Sequence, residues 1–288
     1  MRDIQAGEMD QRLRELRAYG YTRLESLLTD AEVGKCLELL EALYEPHHPH
    51  FADRANLDNR DKFVWNLQFK NKFFLDLLVH PGLTQILKEL LNDPFYKYLP
   101  PDAPNYILNY YNARSSGEAL GMHMDTFLPA TGDRTWTAQA AFFLEDSDIE
   151  NGCTVVVPGS HRSGQFIDMQ LAKVTPIPAK AGDVLMWDSR IWHGANANTN
   201  GQSRWSMIAT FSCWWVKQRV DMTRGLPEAI YRELTDQQKI LLGYCSIPPL
   251  NEHERLNFKC GYEALKPSVA DYYPDLSAAR TEAKVAVP

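Results

Sequence analysis

The sequence has no run of about 18 apolar residues, and its first seven residues contain no apolar stretch. We therefore expect neither a membrane-spanning helix nor a secretory signal. Lysine and arginine form no basic run, and the net charge of the 288 residues is −7, so we expect no nucleic-acid partner. The chain also lacks internal repeats and low-complexity tracts.

Cysteine is scarce, with 5 residues that are widely spaced and form no C-x-x-C pair: Cys36, Cys153, Cys213, Cys245 and Cys260. An odd number at such spacing favours free thiols over a disulfide framework or a zinc site. Free thiols are typical of a reducing compartment, so we expect a cytoplasmic protein.

The pattern of apolar residues divides the chain into a helical part and a β-rich part. Helical patterns occupy residues 10–17, 30–43, 72–79 and 81–91, with a capping-box signature at Thr29 and Glu32. Short β-rich runs separated by turn signals follow at residues 106–111, 136–144, 154–157, 175–177, 183–187 and 206–215. Many short strands of this kind predict a mainly β protein with flanking helices, in the form of a jelly roll or barrel.

The same pattern predicts a single domain over residues 1–288, because no stretch resembles a linker. We expect a helical N-terminal part over about residues 1–100 and a jelly-roll core over about 105–216. A C-terminal extension of helix and loop follows over about 217–288, including a helix at 234–242.

Three residues have the chemistry of a metal site. His123 and Asp125 form an H-x-D pair, and on an extended strand such side chains point to the same side. Alone the pair is a weak signal, but His193 follows in a W-H-G motif. Two histidines and one carboxylate occupy one face of an octahedral ion and leave open positions, as in non-haem Fe(II) oxygenases.

Arg204 and Ser206 form an R-x-S pair that suits an organic acid cosubstrate. A 2-oxo acid can chelate the metal, and its far carboxylate then needs a fixed cation with a planar fork of donors. The turn-rich residues 196–201 separate His193 from Arg204, which predicts a β-hairpin with the two residues on neighbouring strands. The Ser206 hydroxyl, on the same strand face as Arg204, would add a hydrogen bond.

The order of these motifs resembles one known family. The motifs H-x-D, N-G-C-x-x-V-x-P-G-S-H, A-G-D, W-H-G and R-x-S stand at residues 123–125, 151–161, 181–183, 192–194 and 204–206. This order is similar to that of the phytanoyl-CoA dioxygenase family of Fe(II)/2-oxoglutarate oxygenases. The resemblance covers essentially the whole chain and implies a double-stranded β-helix (jelly roll, cupin-like) core. It also implies that His123, Asp125 and His193 bind iron and that Arg204 binds 2-oxoglutarate.

The resemblance extends to three further positions. Gln139 stands where the family often has a glutamine that faces cosubstrate or substrate. Tyr110, before the H-x-D pair, has a hydroxyl that could reach the cosubstrate, although a core tyrosine explains it equally well. Family members often have an aromatic residue near the position of Ala141, so this alanine predicts a wider pocket.

By the resemblance, the protein uses Fe(II), 2-oxoglutarate and O₂ to oxidise a C–H bond, with release of succinate and CO₂. Asp125 argues against halogenation, because related halogenases replace the carboxylate with a small residue. We expect hydroxylation of a small-molecule metabolite or natural-product intermediate. Desaturation, cyclisation and demethylation remain open, as do a non-enzymatic ligand-binding jelly roll, a cupin-type zinc or manganese enzyme, and the oligomeric state.

The sequence indicates the substrate-binding surface only coarsely. We expect the pocket walls in residues 47–61, 62–70, 126–136 and the segment from 215 onward, because active-site lids are typically such loops. An acyl-CoA substrate would need a basic patch, for which Arg114, Arg134 and Lys173 are the candidates. His161, in the P-G-S-H motif, is interpreted as part of a structural turn.

Overall fold

The computed structural model describes residues 1–44, 62–96, 99–100, 102–115 and 117–247. The predicted loop at residues 47–61 and most of the predicted C-terminal extension lie outside the described residues. The single-domain organisation therefore stays a prediction.

Two long helices begin the chain at the predicted places. Helix α1, Ala6–Tyr19, ends at Gly20, whose φ of 85° allows its N–H to donate to the Leu16 carbonyl. Helix α2, Asp30–Leu43, begins with the predicted capping box, in which Thr29 and Glu32 bind each other's backbone N–H groups.

Helices α3, Lys72–Leu78, and α4, Pro81–Leu91, are separated at Pro81 as the sequence predicts. Side chains cap both helices: Asn71 accepts from the Phe73 N–H, and His80 accepts from the Gly82 N–H.

Six strands form the larger sheet: β1 Tyr21–Leu24, β2 Lys62–Trp65, β3 Tyr106–Ser115, β5 Thr137–Phe143, β8 Val184–Asp188 and β10 Ser206–Cys213. Their spatial order is β1-β8-β5-β10-β3-β2, and every neighbouring pair is antiparallel. The sequence analysis missed β2, a strand of 4 residues that it assigned to a loop lining the pocket.

Four short strands form the second sheet: β4 Leu120–His123, β6 Thr154–Val156, β7 Thr175–Ile177 and β9 His193–Ala195. Their order is β4-β9-β6-β7, again antiparallel throughout. Strand β9 has only 3 residues and includes His193, which the hairpin prediction placed on a strand. Two antiparallel sheets with flanking helices confirm the predicted fold class.

The two faces of the larger sheet have different partners. On β10, Met207, Ala209 and Phe211 point into a core shared with the helices, whereas Ser206, Ile208 and Thr210 line a cavity on the other face. That second face packs against the smaller sheet through a cluster that includes Leu185 and Trp187 of one sheet and Val156 and Ile177 of the other. The cavity therefore lies between the sheets.

Three short helices follow β10: α5 Met222–Gly225, α6 Glu228–Tyr231 and α7 Asp236–Leu241. The last of these confirms the predicted helix with narrower bounds, and it contacts β3. Within the described residues, no helix combines the length and the apolar character that a bilayer crossing requires.

Candidate active site

The inner face of the larger sheet presents its side chains in rows across β3, β10 and β5. Ser206 stands between Arg114 and Phe143 in one row, and Ile208 between Asn112 and Ala141 in the next. A third row places Thr210 between Tyr110 and Gln139. These rows give the cavity two ends, one at Ser206 and the other at Thr210.

His123, Asp125 and His193 come together at the Thr210 end of the cavity. Their candidate ligand atoms all lie within 4.8 Å of one another, and they are the one such group of three found in the described part of the chain. The Nε2 atom of His123 lies 3.6 Å from Asp125 Oδ1, and that of His193 lies 3.4 Å from Asp125 Oδ2. The sites predicted from H-x-D and W-H-G therefore converge.

The two histidines meet because β4 and β9 pair in register. His123 stands directly opposite His193 across the two strands, and their ring centroids are 4.4 Å apart. Gly194 allows this close approach: a Cβ atom at this position would lie 2.5 Å from the Leu120 carbonyl oxygen. The W-H-G motif therefore needs its glycine so that the two candidate metal ligands His123 and His193 can come close together.

Asp125 occupies a turn after β4, whereas the alternation argument placed it on the strand itself. Its N–H donates to the Ser189 carbonyl at 3.0 Å, and Trp187 Nε1 donates to its Oδ2 at 3.3 Å. Backbone and side chain are therefore both fixed from β8 and the residue that follows it, which orients the carboxylate toward the histidines.

Hydrogen bonds also orient both imidazole rings. His123 Nδ1 lies 2.9 Å from the Gly121 carbonyl oxygen, and His193 Nδ1 lies 3.1 Å from that of Ile191. A carbonyl can only accept, so each Nδ1 carries a proton, and Nε2 is the ring atom that faces Asp125 and would bind a cation once it carries no proton. Two neutral imidazoles and one carboxylate are a donor set that fits Fe(II).

The electrostatics favour a neutral His193 and an ionised Asp125, whereas the surroundings of His123 favour its protonated form. Burial lowers the pKa of His193, which keeps this ring neutral. Burial acts to raise the pKa of Asp125, but the hydrogen bond from His123 and the charges of both histidines outweigh it, and the net pKa is lowered. The hydrogen bond to Asp125 raises the pKa of His123, so His123 is the ring that competes most strongly for a proton.

Arg204 and Ser206 lie at the opposite end of the same cavity, with only 8% and 6% of their surfaces exposed. The predicted hairpin between His193 and Arg204 is wrong, because β9 and β10 belong to different sheets. The connection instead crosses between the sheets, so the two residues face each other across the cavity. The Arg204 N–H donates to Ser115 Oγ at 3.0 Å, which anchors the backbone before β10.

Gly152 makes room for the Arg204 side chain. A Cβ atom at position 152 would lie 3.1 Å from Arg204 Nε and 2.6 Å from the Asn196 carbonyl oxygen, and the glycine φ is 95°. The N-G pair was interpreted only as a turn, and this second role had no signal in the sequence.

Gln139 and Tyr110 both line the cavity near His123, Asp125 and His193, which we call the candidate metal-binding group. The Gln139 side chain is held at both ends, since its Oε1 accepts from Thr210 at 2.6 Å and its Nε2 donates to Ser189 at 3.3 Å. Tyr110 is half-buried, which raises the pKa of its hydroxyl, and its ring lies 6.2 Å from that of Trp65. Ala141 lies between the two ends of the cavity, 3% exposed.

The cavity has a volume of about 170 Å³. Phe63 and Arg219 line it, and they lie in two of the segments that the sequence analysis gave as pocket walls, whereas Asn112 and Trp187 were not selected from the sequence. The predicted basic patch does not assemble, because Arg114 lines this cavity whereas Arg134 lines a different one and donates to the Asn92 carbonyl. His161 also belongs to that second cavity, where it is buried apart from the metal-binding group.

Comparisons with known proteins agree with this geometry. Residues 16–206 match the family described as phytanoyl-CoA dioxygenase. Among curated relatives, Dioxygenase af480 of Aspergillus fumigatus is 26% identical over 252 residues, which cover 83% of this chain and 78% of the relative. Dioxygenase himG of Aspergillus japonicus is 22% identical and covers 86% of this chain and 85% of its own length.

Solved structures share the fold. The epimerase SnoN in complex with Fe³⁺, alpha-ketoglutarate and nogalamycin RO aligns with a TM-score of 0.56 at 18% identity, over 75% of this chain and 88% of its own. HygX from Streptomyces hygroscopicus with nickel, 2-oxoglutarate and hygromycin B bound aligns with a TM-score of 0.53 at 17% identity. The alignment covers 70% of this chain and 86% of HygX. The chain belongs to the phytanoyl-CoA dioxygenase family and is an Fe(II)/2-oxoglutarate-dependent dioxygenase that also uses O₂.

Proposed function

We propose that this protein hydroxylates a C–H bond of a small-molecule metabolite or natural-product intermediate. In this proposal His123, Asp125 and His193 hold Fe(II), and Arg204 with Ser206 holds the far carboxylate of 2-oxoglutarate. One observation carries the proposal: a metal-binding group and a buried arginine–serine pair occupy opposite ends of one cavity between the sheets.

The spacing of the rows supports the assignment of the cosubstrate. A 2-oxo acid that chelates the metal beside Thr210 would extend past Ile208 toward Ser206, along residues that alternate on β10. The small side chain of Ala141 beside Ile208 leaves space for the carbon chain of the acid. The guanidinium of Arg204 then meets the second carboxylate in a buried setting, where a charged hydrogen bond is strong.

When bound, iron and 2-oxoglutarate supply the oxidation, in which one oxygen atom enters the substrate and the other enters succinate as CO₂ leaves. The chain itself binds, orients and shields. Trp187 fixes the Asp125 carboxylate by its hydrogen bond, and Gln139 is held rigid between Thr210 and Ser189. The apolar cluster between the sheets shields the inner side of the cavity from water.

Hydroxylation is the reaction that we propose, because Asp125 keeps the carboxylate that a halide would otherwise replace. The fold also hosts an alpha-ketoglutarate-dependent epimerase and a carbocyclase, SnoN and SnoK. The placement of the substrate carbon relative to the metal therefore decides the outcome on a shared scaffold. SnoN was solved with nogalamycin RO bound and HygX with hygromycin B bound, which supports a small molecule as the substrate.

An anaerobic titration tests the proposal. Fe(II) and then 2-oxoglutarate are added to metal-free protein while the visible spectrum is recorded, and a weak charge-transfer band is expected only when both are present. His193→Ala should remove the band, and Asp133→Ala, an exposed carboxylate outside the cavity, should retain it. A parent without a band, or a band unchanged in His193→Ala, would contradict the assignment of the metal site.

A further inference from the structure

An arginine stands at the open side of the cavity, beside the metal-binding group. Arg219 lines the cavity, and its Nη2 donates to the Asp125 backbone carbonyl at 3.4 Å. No carboxylate lies within ion-pair distance of Arg219 in the part of the chain that the structure describes. Its guanidinium therefore retains most of its donors for another group.

Phe127 holds this arginine in place at an energetic cost. The Arg219 guanidinium lies 5.2 Å from the centre of the Phe127 ring. Phe127 has a φ of 62°, which is unfavourable for a bulky side chain, and 69% of its surface is exposed. A strained backbone and an exposed apolar ring at the rim of a cavity indicate a site built for contact with a ligand.

An aromatic wall, formed by Phe63, Trp65 and Tyr110, borders the same side of the cavity. The Phe63 and Trp65 rings are stacked at 5.5 Å with an angle of 6°, and Trp65 lies 6.2 Å from Tyr110. Trp65 is 37% exposed. Flat, partly exposed rings of this kind bind planar ring systems by offset stacking.

We propose that the substrate is a planar, largely apolar ring compound with one carboxylate, which binds Arg219 while its rings stack on the aromatic wall. This inference rests on the proposed function, since it places the substrate beside the proposed iron site. Phe127 would cover the bound acid from the solvent side. The carboxylate would then fix which carbon faces the metal-binding group.

The charges around the opening favour a single negative charge. Arg219 is the cation at this opening, and it donates to the backbone carbonyl of Asp125, whose side chain is negative, so a second negative charge on the ligand would be repelled. An acyl-CoA would need several cations for its phosphates, but Arg134 lines a different cavity, and Arg114 stands at the far end of this one, opposite Ser206. A monocarboxylate is thus the class that matches this opening.

Binding of three probes tests the proposal: 2-naphthoate, its neutral analogue 2-naphthamide, and 2-naphthyl phosphate. Protein is loaded with Ni(II) and saturating 2-oxoglutarate, so that Arg204 and the metal-binding group are occupied, and each Kd is measured by calorimetry. We expect 2-naphthoate to bind about tenfold more tightly than 2-naphthamide, because a charged hydrogen bond is added. The phosphate should bind no more tightly than the carboxylate.

Variants separate the parts of this site. Arg219→Gln should remove the preference for the acid, Arg219→Lys should restore part of it, and Arg14→Gln, an exposed arginine on α1, should change nothing. Trp65→Ala should weaken acid and amide equally, because it removes stacking alone.

Equal binding of acid and amide, an unchanged preference in Arg219→Gln, tighter binding of the phosphate, or no binding of any probe would overturn the proposal. The Kd of 2-oxoglutarate is measured first in the same samples. It tests the proposed function separately from the proposed substrate class. If the parent binds 2-oxoglutarate and Arg204→Gln raises the Kd, the proposed function stands even when 2-naphthoate shows no preference over 2-naphthamide.

Discussion

The two sheets hold their functional residues in different ways. The larger sheet has strands of up to 10 residues and packs one face against the helices, so its cavity side chains are fixed by a deep core. The smaller sheet has strands of 3 or 4 residues, and it places His123 and His193 by register, by carbonyl hydrogen bonds and by the absence of a side chain at Gly194. Stability and metal binding should therefore respond to different mutations.

The largest expected effect is on the metal-binding side of this comparison. Asp125→Ala removes one of the three proposed ligands and should abolish 2-oxoglutarate-dependent succinate release and tight iron binding. The melting temperature of the metal-free protein should change little, because the Asp125 side chain lies in a turn and is 22% exposed. The iron content of the variant checks the predicted loss of binding, and thermal melting checks the predicted stability. Full turnover in Asp125→Ala would disprove the assignment of Asp125 as a ligand.

Phe211→Ala tests how much the core of the larger sheet contributes to stability. Phe211 is fully buried in the core between the larger sheet and the helices, with its ring edge against Tyr106. Its truncation should cost about 3–5 kcal/mol of unfolding free energy. Val156→Ala, in the smaller sheet, removes fewer buried atoms and should cost less. Urea denaturation of metal-free protein compares the two, and an equal loss in both variants would contradict the proposed division of roles.

Arg204→Gln removes the proposed cosubstrate cation from the buried end of the cavity. We expect 2-oxoglutarate binding to weaken by about 2–5 kcal/mol, since a carboxylate would lose its buried partner. Arg204→Lys keeps the charge but loses the planar fork, and its effect should be intermediate. Calorimetry with Ni(II)-loaded protein measures these affinities, and unchanged binding in Arg204→Gln would exclude this role.

Ser206→Ala should have the smallest effect of the series. It deletes one hydroxyl from the proposed carboxylate site, worth about 1 kcal/mol of 2-oxoglutarate binding. The same titration measures this loss. The double variant should lose less binding free energy than the sum of the two single variants, because both side chains contact one ligand. A serine effect larger than that of Arg204→Gln would reverse the proposed order of importance.

The sequence analysis succeeded where adjacent residues in the chain form a recognisable motif or capping pattern. His123, His193 and Arg204 stand in short motifs, and the helices at α2 and α4 begin with capping patterns or a proline. The structure brings the motif residues into one cavity, while their roles stay predictions. Strand β2 was missed because Lys62–Trp65 shows no alternation of apolar and polar residues, and only Val64 of its four residues is buried.

Other features depended on contacts that no local pattern encodes. The hairpin between His193 and Arg204 was wrong because turn residues mark a reversal of the chain and do not specify which sheet receives the next strand. Trp187 contacts Asp125, and Arg219 contacts Phe127, only after distant segments pack together. The Ala141 position suggested a wider pocket, and only the register showed that it lies along the proposed path of the cosubstrate.

The register between β4 and β9 has a consequence for how the chain folds. His123 and His193 pair directly, yet β5, β6, β7 and β8 all lie between them in the chain. Closing so long a segment is entropically costly, and it is rewarded only once the intervening strands have found their places. The candidate metal-binding group is therefore complete only in a nearly finished fold, and under the proposed assignment the capture of iron during refolding would mark one of the last steps.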